Sequence, residues 1–259
     1  MPESNMVSVN TEQIGLPIPD ILPRQIKSVG VELEGFFTDE QVDTIREHEY
    51  NDDRRNGGIP SLESDISISN TEYGEWSGYD DALEDLQARE VVTPNGGLKE
   101  WSKLEGFVTA YHPYMTNWSC GLHVHIGCTK AQHREVYDKK YYRRMVNALD
   151  RLSTSRDMSR ETGRYLRNRL ELGRSVRIPE EHYHDDYFYP CKPNTFEDYG
   201  CHHGKFYHIN YGCWYEHRPT VEVRILPGAY NAKEALRMVH TVLDVTSAHW
   251  EQAGTTRKE

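Results

Sequence analysis

"CGLHVHIG", residues 120–127, sets two histidines two positions apart in an apolar run closed at both ends by glycine. In a strand, alternate side chains share a face, so His123 and His125 point one way while Leu122, Val124 and Ile126 pack the other way. The run reads as a strand with a polar pair on an apolar support. Strand histidines commonly do no more than face water, so this pair acquires meaning only from partners elsewhere in the chain.

Those partners lie on other strand-like segments. "KSVGVELEGFF" (27–37) alternates with period two and places Glu32 and Glu34 on one face. "PTVEVRILPG" (219–228) does the same for Glu222 and Arg224, and "AREVVTP" (88–94) offers Glu90 before Pro94 ends it. "KFYHINY" (205–211) reads as a further strand. Carboxylates aligned on a sheet repel one another unless cations neutralise them, so convergence of these strands calls for divalent metal.

Between the strands the pattern turns helical. Thr38 and Gln41 are spaced as a capping box ahead of Val42 and Ile45, and Asn231 and Glu234 open a last helix burying Leu236, Val239, Leu243 and Trp250. Leu98, Trp101, Leu104 and Val108 form one stripe, and Tyr141, Met145, Leu149 and Leu152 form another in a longer helical region, 138–172, interrupted near Gly163. Residues 51–81 are rich in Asn, Asp, Gly and Ser and read as loops around one strand, "ESDISIS", which carries Asp65. Residues 1–26, with Pro17, Pro19 and Pro23, read as an extended arm; 27–259 read as a single domain with an insertion or lid at 178–204.

Composition bounds the function. The chain has 259 residues and a formal net charge of −11, a field that disfavours generic binding to nucleic acid or anionic membranes. With 5 Trp, 17 Tyr and 6 Phe it has material for a real core. The five cysteines are odd in number and include no C-x-x-C pair, and the first residues lack an apolar leader, so a cytoplasmic protein with free thiols is expected. Gly127-Cys128-Thr129-Lys130 lacks the order of a P-loop, which excludes that route to nucleotide binding.

The order G-x-E-x-E, an acid on a strand, C-G-L-H-V-H-I-G and x-V-E-V-R-x-x-P-G resembles the amidoligase family, part of the glutamine synthetase-like carboxylate–amine ligases. "GLHVHIG" and "TVEVRILPG" are the specific parts, "GVELEG" is supportive, and the resemblance spans about residues 28–250. It implies an α+β fold in which a curved antiparallel sheet is backed by helices, as in the catalytic folds of glutamine synthetase and the guanidino kinases. It also implies ATP and two Mg2+ or Mn2+ ions. By position, Glu34 and Glu90 correspond to ligands of one ion, and Glu32, His123 and Glu222 to ligands of the second. His125 corresponds to a contact on the nucleotide phosphates and Arg224 to one on the transferred phosphoryl group, with Asp65 orienting the amine or a metal water. Arg164 and Arg167 are the candidates from the arginine-rich tract 143–177 for a further contact to ATP. The implied activity joins a carboxylate substrate to an amine substrate through an acyl phosphate, releasing ADP and phosphate, in a chain that could form homo-oligomers.

Two other chemistries fit the same residue types. A phosphotransferase on this scaffold would pass the phosphoryl group to a nitrogen, and a metal-dependent hydrolase or nuclease would activate water without nucleotide. The His, Cys and Asp residues of 180–186 and 201–204, with Cys213, match the spacing of no familiar zinc module.

Overall fold

Along β1 (Ser28–Thr38), Val29, Val31 and Leu33 alternate with Gly30, Glu32 and Glu34, and this period of two decides the architecture. The apolar set is buried in the main core, which leaves the other face of the strand to the acids. The structure, a computed structural model, describes residues 22–51, 60–64, 86–94, 97–136, 138–174, 208–210 and 220–254. The other strands among the described residues are β2 (Ser61–Glu63), β3 (Leu86–Val92), β4 (Gly121–Gly127), β5 (Ile209–Asn210) and β6 (Thr220–Pro227). They form a six-stranded sheet of order β2-β3-β1-β4-β6-β5 in which each pairing is antiparallel.

Among the described residues six helices accompany the sheet: α1 (Asp39–Asn51), α2 (Trp101–Tyr111), α3 (Lys130–Val136), α4 (Lys139–Ser153), α5 (Arg160–Arg174) and α6 (Ala232–Gln252). The α+β expectation therefore holds as an antiparallel sheet backed by helices. Leu104 and Val108 of α2, Met145 and Leu149 of α4, and Val239 and Leu243 of α6 share one core cluster with Val31, Leu122, Val124 and Val223 of the sheet. Each such aliphatic side chain contributes about 1.5–3 kcal/mol through its removal from water. Buried aromatics keep their polar tips satisfied: Trp250 Nε1 donates to the Gln132 carbonyl at 2.9 Å, and the Tyr141 hydroxyl meets Thr246 Oγ1 at 2.8 Å.

Local chemistry fixes where the helices start. At α1 the expected box forms: Gln41 N–H donates to Thr38 Oγ1 at 3.2 Å and Thr38 N–H donates to Gln41 Oε1 at 3.1 Å. The same reciprocal pair, Thr129 with Gln132, opens α3, a helix the hydrophobic pattern does not announce. Asn231 caps α6, accepting from Glu234 N–H at 3.0 Å. The break in the long helical region falls at Thr154–Ser159, upstream of Gly163. Ser159 Oγ accepts the Thr162 N–H at 3.1 Å and starts a new helix, while Gly163 sits inside α5 because a Cβ there would come within 2.3 Å of the Ser153 carbonyl oxygen.

Helix α2 is strapped to β1 at both ends. Leu98 before it exchanges backbone bonds with Val29 at 2.7 and 2.8 Å, and Met115 after it does so with Phe36 at 2.9 and 3.1 Å. Gly97 makes the entry turn with φ of +67°, a conformation that favours glycine. The sequence readings of residues 1–21, of the insertion 178–204 and of Asp65 fall outside the described residues; the strand read at 63–69 is described only as β2, which ends at Glu63. Among the described residues no helix is long and apolar enough to cross a membrane.

Candidate active site and metal centre

Antiparallel register brings the acids and imidazoles together on the polar face of the sheet. Glu32 lies opposite His123, Glu34 opposite Glu90, and His125 opposite Glu222. Asn210 of β5 also lies opposite Glu222, and Glu63 of β2 extends the row beyond Glu90. Residues far apart in the chain thus form one band across the sheet.

His123 is the centre of that band. Its Nδ1 stands 2.7 Å from Glu32 Oε2 and 3.8 Å from Glu222 Oε1, and its Nε2 stands 3.2 Å from Glu34 Oε1. His125 Nε2 meets Glu32 Oε1 at 2.7 Å and lies 3.8 Å from Glu222 Oε1. Glu222 is buried at 2% exposure, and its oxygens accept from Arg224 Nη1 at 2.5 Å and Asn210 Nδ2 at 2.8 Å. A register shift between Leu122 and Val124 sets both Arg224 and Ile225 against His123, a β-bulge that keeps Glu222 and Arg224 at the cluster while β6 continues into the core.

Glycines make the closeness possible. A Cβ on Gly121 would sit 2.8 Å from both Glu34 Oε2 and His123 Nε2, so only glycine lets these groups meet in front of β4. The Gly121 N–H donates to Glu34 Oε2 at 2.6 Å. On the same face Gly30 lies opposite His125, where a Cβ would approach the histidine Cβ to 3.3 Å.

Burial disfavours the charged form of Glu32, but hydrogen bonds and charge from His123 and His125 outweigh it and hold the carboxyl well below its ordinary range. Burial likewise opposes ionisation of Glu222, and the fields of His125 and Arg224 bring its pKa down. For Arg224, burial works against the cation, yet Glu222, Glu32 and Glu34 raise its pKa. Glu32 and Glu222 are thus held as carboxylates, with the Arg224 guanidinium as a counter-charge.

Two sets of ligand atoms, Glu32–His123–Glu222 and Glu34–Glu90–His123, each lie within 4.8 Å of one another. The residues fit divalent cations on two grounds. The donors are carboxylate oxygens and imidazole nitrogen, the ligands of magnesium and manganese sites. Both nitrogens of His123 also face carboxylate oxygens, a geometry satisfied either by a doubly protonated ring or by a cation taking the place of one proton.

The structure thus gathers Glu32, Glu34, Glu90, His123, His125, Glu222 and Arg224. It does not bring Arg164 and Arg167 there: both are exposed on the outer side of α5, Arg164 lying over the ring of Tyr165 at 5.1 Å. The arginine of that helix that turns inward is Arg169, buried at 4% exposure and bonded to backbone carbonyls at the ends of β4 and β6. Its signal is its place on the apolar stripe with Leu166 and Leu170, where an arginine has no reason to be unless it is used. Asn210 carries a weaker signal, alternating with the buried Ile209. Cys120 and Cys128, at either end of β4, are buried; desolvation pushes both thiols up to about 12, which removes them as nucleophiles.

A helix-backed antiparallel sheet with a carboxylate–imidazole–arginine band on its other face defines an α+β protein with a candidate metal-binding group on that face. Residues 25–246 match the family described as putative amidoligase enzyme, and the chain belongs to that family of ligase enzymes. None of the curated proteins matches the chain.

Proposed function

We propose that the protein is an ATP-dependent carboxylate–amine ligase on a glutamine synthetase-like scaffold, working with two Mg2+ or Mn2+ ions. The observation that carries this reading is His123, shared between two ligand sets that abut on one sheet face. Glu34 and Glu90 would hold one ion, and Glu32, His123 and Glu222 the other. The ions, when bound, supply positive charge against the phosphate oxygens.

In the first step a substrate carboxylate oxygen bonds to the γ-phosphorus of ATP and the bond to the β-phosphate oxygen breaks, giving an acyl phosphate and ADP. Arg224 faces the negative charge that moves in this step. Its Nη1 is fixed by Glu222, and its Nε is buried without a hydrogen-bond partner among the described residues, a donor available to a phosphoryl oxygen. In the second step an amine nitrogen bonds to the acyl carbon, the bond to the phosphate oxygen breaks, and the nitrogen loses a proton. His125, linked to Glu32, lies on this face as a contact for the nucleotide phosphates. A cytosolic location, where ATP is abundant and the thiols of Cys120 and Cys128 stay reduced, accords with this reading.

The test is release of ADP and phosphate from ATP and Mg2+ in the presence of metabolite mixtures, with products read by mass spectrometry. The ligase reading predicts turnover that needs both a carboxylate and an amine, and a product lighter by one water than their sum. A phosphorylated amine would make the enzyme a phosphotransferase, and cleavage without ATP would make it a hydrolase.

A further inference from the structure

We propose that Arg169 is a positioning residue that fixes Glu34 through one peptide plane, the Cys120–Gly121 amide. Its consequence for catalysis rests on the ligase reading; the geometry and its test do not.

Arg169 Nη2 donates to the Cys120 carbonyl at 2.7 Å and to the Trp118 carbonyl at 3.3 Å, and Nη1 donates to the Leu226 carbonyl. The guanidinium therefore ties the start of β4 to the end of β6, next to the place where their ladder shifts register. The Cys120 carbonyl accepts a second bond, from Gly228 N–H at 2.7 Å. The N–H of that same peptide group is the Gly121 N–H, which donates to Glu34 Oε2 at 2.6 Å. A peptide unit is planar, so holding its oxygen from behind sets the direction of its N–H in front. Two donors on the oxygen also polarise the amide and strengthen its N–H as a donor to the carboxylate.

The result is an order of contacts from Arg169 through one amide to Glu34. The terminal torsion of a glutamate is soft, and nothing in β1 alone decides which oxygen faces the cluster. With Oε2 committed to Gly121, Oε1 is turned to His123 Nε2 at 3.2 Å. Burial lowers the Arg169 pKa to about 10, with the charge of Glu34 acting against that fall and the charge of Arg224 adding to it, so it remains a cation at neutral pH.

The test reads the Gly121 amide in 15N–1H spectra of the full chain, without ATP or metal. In Arg169→Met, at a temperature where far-UV circular dichroism matches the wild type, the Gly121 amide proton moves upfield and its exchange with D2O quickens, while Val124 in the same strand stays in place. An arginine with a structural role alone would lower Tm and leave the Gly121 shift of the folded protein unchanged, and that result overturns the proposal. Glu34→Gln reads the relay from the other end with Arg169 intact: the Gly121 amide and the Arg169 side-chain resonances shift together. If both stay fixed in Glu34→Gln, the proposal fails even where no Arg169 variant folds. Neither readout involves turnover, so a silent ligase assay and a broken relay are separate results.

Discussion

His123 stands directly across the β1–β4 ladder from Glu32, and its two ring nitrogens reach carboxylates on opposite sides, Glu32 Oε2 at 2.7 Å and Glu34 Oε1 at 3.2 Å. One imidazole thereby belongs to both ligand sets. Removing an outer ligand from one set should spare the other. In a Mn2+ titration followed by electron paramagnetic resonance, Glu90→Gln weakens one ion by roughly tenfold or more and leaves the second near its wild-type affinity, whereas His123→Ala weakens both. Equal loss of both ions in Glu90→Gln would contradict the division.

Gly121 admits no side chain. A Cβ there meets Glu34 Oε2 and His123 Nε2, each at 2.8 Å, so Gly121→Ala forces one of them away. The expected outcome is a fold unchanged by far-UV circular dichroism and Mn2+ binding weaker by about tenfold, a loss near 1.4 kcal/mol. Wild-type Mn2+ affinity in this variant would show that the close approach has no role in binding.

Glu222 separates charge from shape. Glu222→Ala leaves the half-buried Arg224 guanidinium and the Asn210 amide without the acceptor they now share, which costs about 3 kcal/mol of stability by denaturant titration. Glu222→Gln keeps an acceptor and the packing, and should cost less stability while still losing the ion beside His123. Similar stability for the two variants would mean that Glu222 is not what holds Arg224.

His208 gives the fold a pH dependence. Burial, with the charge of Arg169 behind it, lowers its pKa to about 3 from an ordinary 6.5, while its Nδ1 meets the Tyr142 hydroxyl at 3.1 Å. Above 6.5 the ring is neutral whether the chain is folded or not, so its contribution is fully present. Below 6.5 the unfolded chain takes up a proton that the folded one refuses, and stability falls by about 1.4 kcal/mol per pH unit as pH drops toward 3. Between about pH 6.5 and pH 5, where the depressed Glu32 carboxyl is ionised in both states, wild type should lose about 2 kcal/mol more than His208→Gln. Parallel curves for the two proteins would refute the assignment.

What could be read from the chain alone follows from period. Glu32 and Glu34, His123 and His125, Glu222 and Arg224 are same-face pairs on strands, and a period of two is insensitive to which strand lies beside which. The register that sets Glu34 against Glu90 and Glu32 against His123 comes from the turns and the core, so the acids were nameable as a group while their distances were not. Arg164 and Arg167 show the opposite case. Exposed arginines at helical spacing look like a stripe built for an anion, whereas Arg169 rides inward on the apolar stripe with Leu166 and Leu170, where its charge is easily overlooked. The start of α3 was hidden for another reason: Thr129 and Gln132 are a complete capping signal, but the seven residues after them are too few to show a period.

The centre itself is open to direct observation. Crystals grown with Mn2+ and measured at the manganese absorption edge should show two anomalous peaks on the polar face of the sheet, one bounded by Glu32, His123 and Glu222 and one by Glu34 and Glu90. Manganese bound elsewhere, with this band of side chains left as a purely ion-paired network, would contradict the account.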